Sequence, residues 1–325
     1  MNVFIITSPF QYICANEARE SYQAKDNLLV IIEQNSQIGK KQMSALVDES
    51  DWDYILRFDR KKRTTNTPKI IKKVLELSKG NLDTFFYSEY RSWRNKLLIR
   101  NLDFKKHIFF DDGTMMFVDY YDHLEPKKAY YRPRLIQDFQ LKLQGIKPIG
   151  RLPFFENTEI FSVFDLPGCV TKFRSNNLKT LSDKFSQVES ENTHYDIFIG
   201  QGRVDEKSHN ISLSEYLVLL EEAQQCSDSP LLYIPHRTEM AHVTEAIKRL
   251  DNLIYHMPSF PIEIELYKEK VQPVNIIGLS STALYTLSKL YPSCPVKVLV
   301  QKGSASIQKI NRIQNYLNDH FANKS

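Results

Sequence analysis

Apolar runs recur through the first part of the chain at NVFIIT (residues 2–7), NLLVIIE (27–33), WDYILRF (52–58), DTFFYS (83–88) and HIFFDD (107–112). Polar, helix-compatible stretches separate them. That alternation predicts a parallel sheet with helices on both faces. From Asp119 to about Lys184 the pattern loosens into DYYDHLEPKKAYYRPR and RLPFFENTEIFSVFDLPG, rich in tyrosine, arginine and proline. This stretch reads as a connecting region with local structure.

A second alternation starts near Tyr195 with YDIFIGQ. A helix follows, opened by Ser212, which has capping-box spacing to Glu215. LLYIPH, a helix near Glu239 to Leu250, LIYH and VNIIGLSS come next, and VKVLVQK closes the sheet. The pattern therefore predicts an α/β chain of two domains, 1–190 with the connecting region from about 119, and 191–325. The last segment puts Ile307, Ile310, Ile313, Leu317 and Phe321 near one helical face. Such a face packs back onto the domains, or else serves membrane contact or dimerisation.

Three of the apolar runs end in chemistry: Asp111-Asp112-Gly113 after HIFF, Pro235-His236-Arg237 after LLYI, and Ser280-Ser281-Thr282 after VNIIG. Each places polar or ionisable side chains just past a buried strand, where an open α/β sheet leaves the crevice in which ligands bind. Asp-Asp-Gly alone is a good turn sequence, with Gly113 tolerating positive φ. Ser280-Ser281 alone is an N-cap, because Ala283, Leu284, Leu287 and Leu290 have helical spacing behind it. Together the three read as transfer onto a hydroxyl group. Asp111 or Asp112 acts as general base, a buried like-charged pair being one way to raise a carboxylate's pKa. His236 donates to a phosphate oxygen, and Ser280 and Ser281 hold a phosphate at a helix N-terminus. FIGQGRVDE offers a rival base, Asp205, on the first crevice loop of the second domain.

A serine hydrolase is disfavoured: Gly278-Leu279-Ser280 lacks the closing glycine of a nucleophile elbow at Thr282, and His236 precedes the serine. A non-catalytic nucleotide or glycan binding protein stays open, since it keeps the phosphate site without needing Asp112 or Asp205.

FFDDGT, the PH of YIPHR and GLSSTAL resemble the Asp/Glu-Asp/Glu-Gly, His-Pro and Ser-Ser motifs of bacterial sialyltransferases. The opening NVFIITSPFQYICANEA is similar to that of glycosyltransferase family 52. The resemblance implies a GT-B fold, two Rossmann-like domains facing across a cleft, with the nucleotide on the C-terminal domain. It further implies inverting transfer of sialic acid, or a related nonulosonic acid, from its CMP ester to a lipooligosaccharide or capsule glycan. CMP-Kdo and CMP-pseudaminic acid are alternative donors, and neither a cofactor nor a metal is required. By the same resemblance, Asp112 is the general base, His236 stabilises the leaving phosphate, Ser280 and Ser281 hold it, and Glu263 in FPIEIE holds the ribose hydroxyls. Gly113, Gly200, Gln201, Pro235 and Arg237 complete the donor-binding positions. Arg237 stands where the family pattern has proline, and either adds a bidentate phosphate contact or points into solvent. Some relatives are dimers, so self-association is open.

Composition narrows this little. The 325 residues, 42% hydrophobic and 25% charged, are those of an ordinary globular protein, and a net charge of +4 is too small to argue for nucleic acid. Lys61-Lys62-Arg63, followed by Lys69, Lys72 and Lys73, form the sharpest basic concentration. The segment from Pro68 to Gly80 predicts a helix with Thr67 as N-cap, whose basic residues make either a solvated face or a contact with anionic lipid or glycolipid. Tyr120, Tyr121, Tyr130, Tyr131 and the stretch YRSWRNK are packing residues or stacking platforms for an acceptor sugar. Four cysteines without C-x-x-C spacing indicate neither a metal cluster nor a disulfide framework. With no apolar stretch approaching the ~18 residues of a membrane span, the expectation is a cytoplasmic protein, at most peripheral to the inner membrane.

Overall fold

The computed structural model describes residues 1–166, 168–185, 193–202, 204–206, 211–227, 230–299, 315–317 and 319–321. The chain divides into two compact units, Met1–Leu181 and Ser182–Ser325.

In the first unit the five leading apolar runs become β1 (Asn2–Ile6), β2 (Asn27–Glu33), β3 (Tyr54–Asp59), β4 (Thr84–Tyr87) and β5 (Lys106–Phe110). A short antiparallel pair, β6 (Tyr130–Tyr131) with β7 (Arg151–Leu152), stands apart. Two further strands, β8 (Thr158–Ser162) and β9 (Lys172–Ser175), then complete a seven-stranded parallel sheet in the order β3-β2-β1-β4-β5-β8-β9. These last two lie in the stretch read from sequence as a connecting region. The helices of this part are α1 (Pro9–Ser21), α2 (Gln37–Leu46), α3 (Arg63–Ser78), α4 (Trp93–Asn101), α5 (Met115–Asp119) and α6 (Leu135–Leu143), and α7 (Lys179–Phe185) follows.

Central strands are covered on both faces, which is why β2 and β4 are apolar at consecutive positions and buried throughout, bar the terminal Glu33. At the sheet edge, β3 is only partly covered, with Ile55, Leu56 and Phe58 half-buried and Tyr54, Arg57 and Asp59 exposed. The core packs around Phe4, whose ring stacks on Phe86 at 4.0 Å and meets the edge of Trp52 at 5.0 Å.

Helix α3 starts earlier than the sequence reading. Lys62, in a left-handed conformation with φ 54°, is its N-cap, so Thr67 and Pro68 lie inside the helix. Thr67 Oγ1 donates to the Arg63 carbonyl at 2.7 Å. The missing N–H of Pro68 removes one rung near the start, which the buried apolar face of Ile70, Ile71 and Val74 outweighs. On α6, Leu141 is buried, whereas Leu135, Ile136, Phe139 and Leu143 face outward.

The second unit carries β10 (Thr193–Ile199), β11 (Leu231–Ile234), β12 (Leu253–Tyr255), β13 (Val271–Leu279) and β14 (Val296–Leu299), a parallel sheet in the order β12-β11-β10-β13-β14. Its helices are α8 (Leu213–Gln225), α9 (Ala241–Ile247), α10 (Ile262–Lys268) and α11 (Thr282–Leu290). Helix α8 opens on a complete capping box between Ser212 and Glu215. Helix α9 is shorter than the expected Glu239–Leu250 span. Leu317 and Phe321 are buried, while Ile307, Ile310, Ile313 and residues 300–302 of VKVLVQK lie outside the described residues. Among the described residues no helix is long and apolar enough to cross a membrane.

Both main sheets reverse their strand order once. The chain runs from β1 outward to β3, then crosses to place β4 on the other side of β1. It likewise runs from β10 outward to β12 before β13 returns to the far side of β10. Each reversal opens a crevice at the C-terminal ends of two neighbouring strands.

Replacing Phe86 with alanine removes the ring stacked on Phe4 from a fully packed site. The expected loss is about 3–5 kcal/mol, read as a lower urea midpoint with unchanged m-value.

Candidate functional site

In the second unit, β11, β10 and β13 lie side by side and parallel, so the residues after each emerge at one edge. Neighbouring strands are roughly 5 Å apart, which gathers Pro235-His236-Arg237, Gly200-Gln201 and Ser280-Ser281 along that edge. Close approach of backbone and side chains dictates the glycines. A Cβ on Gly200 would lie 2.6 Å from the Tyr233 hydroxyl and 3.0 Å from the Ile234 carbonyl, and one on Gly202 would overlap His236 Nδ1 and Thr238 Oγ1. The Gln201 N–H donates to the Tyr216 hydroxyl at 3.1 Å, which in turn lies 3.1 Å from the Tyr233 hydroxyl.

His236 is exposed at the tip of its turn, while Pro235 beneath it is buried. Nδ1 accepts from the Thr238 N–H at 3.2 Å and lies 2.8 Å from Thr238 Oγ1, which also reaches the Gly202 carbonyl at 3.2 Å. With Nδ1 accepting from the Thr238 N–H, a neutral ring carries its proton on Nε2.

Ser281 is the N-cap of α11, its hydroxyl accepting from the Leu284 N–H at 3.3 Å. Ser280 precedes it at the end of β13, half-buried. The hydroxyls and the first turn of α11 thus sit where an anion gains from the helix dipole. Glu263, on the first turn of α10, is only 5% exposed and accepts from Thr286 Oγ1 of α11 at 3.0 Å. Burial pushes its carboxyl above the ordinary range, while hydrogen bonds and the positive charge of Arg237 pull it back. Arg237 and Glu263 therefore belong to one electrostatic neighbourhood. Glu265 has a different task, accepting from the Phe260 N–H at 2.7 Å and meeting His256 Nε2 at 2.6 Å, which pins the loop entering α10.

Asp205 sits at φ 62° in an exposed turn and pairs with His242 Nε2 at 3.1 Å.

In the first unit the structure divides the two aspartates. Asp111 is fully buried; its carboxylate accepts from Ser162 Oγ at 2.6 Å and the Val163 N–H at 2.7 Å, tying the end of β5 to the end of β8. Asp112 is half-buried and turns instead toward α1, accepting from Gln11 Nε2 at 2.7 Å. Gln11 is itself fixed, since its Oε1 accepts from the Thr7 N–H at 2.6 Å and its own N–H donates to Ser8 Oγ at 3.2 Å. Gly113 follows with φ 62°, a conformation that a side chain would strain. The carboxylate of Asp112 thus stands beside the β1/β4 reversal, held toward α1 by Gln11.

On the same edge lies a cavity of about 490 Å³. The loop after β3 and the start of α3 contribute Arg60, Lys61, Lys62 and Arg63, and the loop after β4 with the start of α4 contributes Glu89, Arg91, Trp93 and Arg94. Arg132 and Arg134, after β6, close it. Glu89 links it to Asp112, because Thr7 Oγ1 donates to Glu89 Oε1 at 3.0 Å and Thr7 also holds Gln11. Among the described residues, no group of three or more His, Cys, Asp or Glu side chains is arranged to hold a metal ion.

The sequence matches no protein-family model and no curated protein. Its structure is similar to the UDP complex of S. aureus MnaA, at TM-score 0.53 and 12% identity over 92% of this chain and 79% of that one. The fold is of GT-B type, built from two Rossmann-like units. A glycosyl transferase family 9 protein from Veillonella parvula aligns over 97% of this chain and 91% of its own, at TM-score 0.46 and 9% identity. UDP-N-acetylglucosamine 2-epimerase from Rickettsia bellii aligns over 86% and 74%, at TM-score 0.44 and 12% identity.

Gln11, Thr238, Tyr216 and Thr286 escaped the sequence reading. Only Gln11 carried a signal, its place just after the first strand in SPFQYI.

The two aspartates should separate in stability. Asp111→Ala strands two buried donors and should cost roughly 1–3 kcal/mol for each in urea unfolding. Asp112→Ala removes one partly exposed hydrogen bond and should cost about 1 kcal/mol or less.

Proposed function

We propose that the chain is an inverting glycosyltransferase that moves sialic acid, or a related nonulosonic acid, from its CMP ester to a hydroxyl of a cell-surface glycan such as lipooligosaccharide or capsule. One observation carries this reading: His236, Gly200-Gln201 and the Ser280-Ser281 cap of α11 emerge together at the edge of the second sheet beside its β10/β13 reversal. That combination suits a nucleotide phosphate rather than a neutral ligand, since it offers a ring N–H, two hydroxyls and a helix N-terminus. The sialyltransferase-like motifs add the choice of CMP.

In this reading the acceptor hydroxyl attacks the anomeric carbon and its proton passes to Asp112. The anomeric C–O bond to the phosphate breaks, and the electron pair leaves with CMP. His236 Nε2–H, Ser280, Ser281 and the α11 N-terminus take up the charge that grows on the phosphate oxygens. Gly113 lets the chain turn so that Asp112 faces its substrate. Glu263 and Arg237 serve the nucleotide side, with burial raising the Glu263 carboxyl and Thr286 and the Arg237 charge opposing that rise. Asp205, paired with His242, remains the rival base. The protein works in the cytoplasm, at most peripheral to the inner membrane.

The S. aureus structure of the same fold was solved with UDP, so the first test sets nucleotides against each other. Isothermal titration with CMP, CDP, UDP and GDP should show selective CMP binding, weakened at least tenfold in the Ser280→Ala, Ser281→Ala double variant. Preference for UDP or GDP would discard CMP as donor.

Turnover of CMP-sialic acid tests the chemistry. Asp112→Ala should reduce kcat by about 10²–10⁴-fold, the usual range for a general base, with CMP affinity little changed. Loss confined to Asp205→Ala would transfer the role, and His236→Ala should lower kcat more than it weakens CMP binding.

A further inference from the structure

The first unit holds a cation-lined cavity that the proposed transfer leaves unused. Eight cations, Arg60, Lys61, Lys62 and Arg63 with Arg91, Arg94, Arg132 and Arg134, line the 490 Å³ cavity against one carboxylate, Glu89. Only two of them meet a carboxylate within ion-pair distance among the described residues. Arg91 donates to Asp119 at 2.6 Å, and Arg60 lies 3.7 Å from Glu89.

Arg94 carries the argument. Its side chain belongs to a residue only 7% exposed, and its Nε has no hydrogen-bonding partner among the described residues. Buried polar groups are nearly always satisfied, and a buried N–H without a partner is costly. Trp93 next to it, 4% exposed, also keeps its indole N–H unpartnered, and the Arg134 guanidinium lies over the Trp93 ring at 5.7 Å. Two helix starts add to these donors. The N-caps of α3 and α4, Lys62 and Ser92, both line the cavity, and neither closes its helix with a side-chain hydrogen bond. Positive dipole ends and open backbone N–H groups therefore accompany the guanidinium groups.

We propose that this cavity binds a phosphate or pyrophosphate group, and that the group belongs to the acceptor. A single carboxylate would leave most of the charge unmet, whereas phosphate oxygens match the planar forks of six arginines. The volume holds a phosphate with an attached sugar or lipid headgroup. Assignment to the acceptor rests on the glycosyltransferase reading: the cavity shares an edge with Asp112 and is joined to it through Glu89, Thr7 and Gln11. The anion site itself does not rest on that reading.

The test is titration of the full chain with sodium pyrophosphate and inorganic phosphate at low ionic strength. Saturable pyrophosphate binding is expected, weakened at least tenfold in the Arg63→Ala, Arg134→Ala double variant. Lys69→Ala with Lys72→Ala, on the solvent side of α3, should leave it within twofold. Arg94→Lys guards against a folding defect in a bulkier change and should also weaken binding. CMP titration of the same variants separates the two claims. Pyrophosphate bound without CMP would sink the transferase reading and keep the anion site. No saturable pyrophosphate binding, or binding insensitive to Arg63 and Arg134 but lost on changing Ser280 and Ser281, would overturn the proposal. Sedimentation with phosphatidylcholine vesicles, with and without phosphatidylglycerol, identifies the source. Displacement of the protein from anionic vesicles by pyrophosphate assigns a lipid-borne phosphate, and free pyrophosphate binding without vesicle binding assigns a soluble one.

Discussion

All strands of the two main sheets run parallel to their neighbours, and that constraint organises the rest of the molecule. Parallel strands need a crossover between them, so helices cover both sheet faces and every strand's C-terminal end falls on one edge. Apolar side chains fill the interior, as with Phe4 on Phe86 and Phe198 on Tyr233. Polar chemistry is left to the loops at that edge. Where the strand order reverses, two adjacent loops diverge and leave room. Gly278 shows how tightly the backbone beneath is packed, since a Cβ there would stand 3.1 Å from the Ile199 carbonyl.

Burial then separates residues that look alike in sequence. Asp111 and Asp112 are neighbours, yet alternation along the chain points them to different partners. Asp111 is saturated by two buried donors and is a structural tie. Asp112, half-buried, turns toward α1, where Gln11 limits its rotation. Glu263 and Glu265 divide in the same way, one toward Thr286 and the field of Arg237, the other clamping His256 and the Phe260 N–H. The physical difference lies in which donors remain after folding.

The strands most legible in the sequence were those apolar at consecutive positions, because burial on both faces leaves no alternation to misread. β8 was not legible: it carries Thr158 and Glu159, whose polarity is met by the Phe155 carbonyl and by Tyr22 and Lys106. The start of α3 was misplaced because proline was taken as a boundary, whereas tertiary packing of Ile70 and Val74 carries the helix through it. The strand-end rule pointed to His236, Ser280 and Asp112 as candidates, but not to the residues that hold them. Gln11 lies 101 residues from Asp112, and no local pattern announces such a bond. Lys61 to Arg63 read alone as a solvated face or a contact with anionic lipid or glycolipid, and Tyr90 to Lys96 and Tyr130-Tyr131 as packing residues or stacking platforms for a sugar. Only the order β3-β2-β1-β4 brings the first two to one edge, and the cavity that results unites them with Arg132 and Arg134.

The two units meet anions with different means, and the difference has a thermodynamic logic within the proposed reaction. At the second sheet the donors are hydroxyls, a histidine and a helix terminus, which are modest partners for a ground-state diester phosphate. They gain strength as a second charge develops on departure of the sugar, which is the differential binding that lowers a barrier. An arginine cluster there would hold the ester and the released CMP alike and slow its exit. At the first sheet the acceptor phosphate proposed for the guanidinium groups of Arg63, Arg94 and Arg134 would not react. Uniform binding carries no penalty for a group whose charge is the same before and after the step, so strong, fixed charge suits it. Placing that charge one loop away from Asp112, with Glu89 between them, also shields the base. A guanidinium in direct contact with Asp112 would hold its carboxylate ionised and weaken it as a proton acceptor. Gln11 instead fixes Asp112 with a neutral donor.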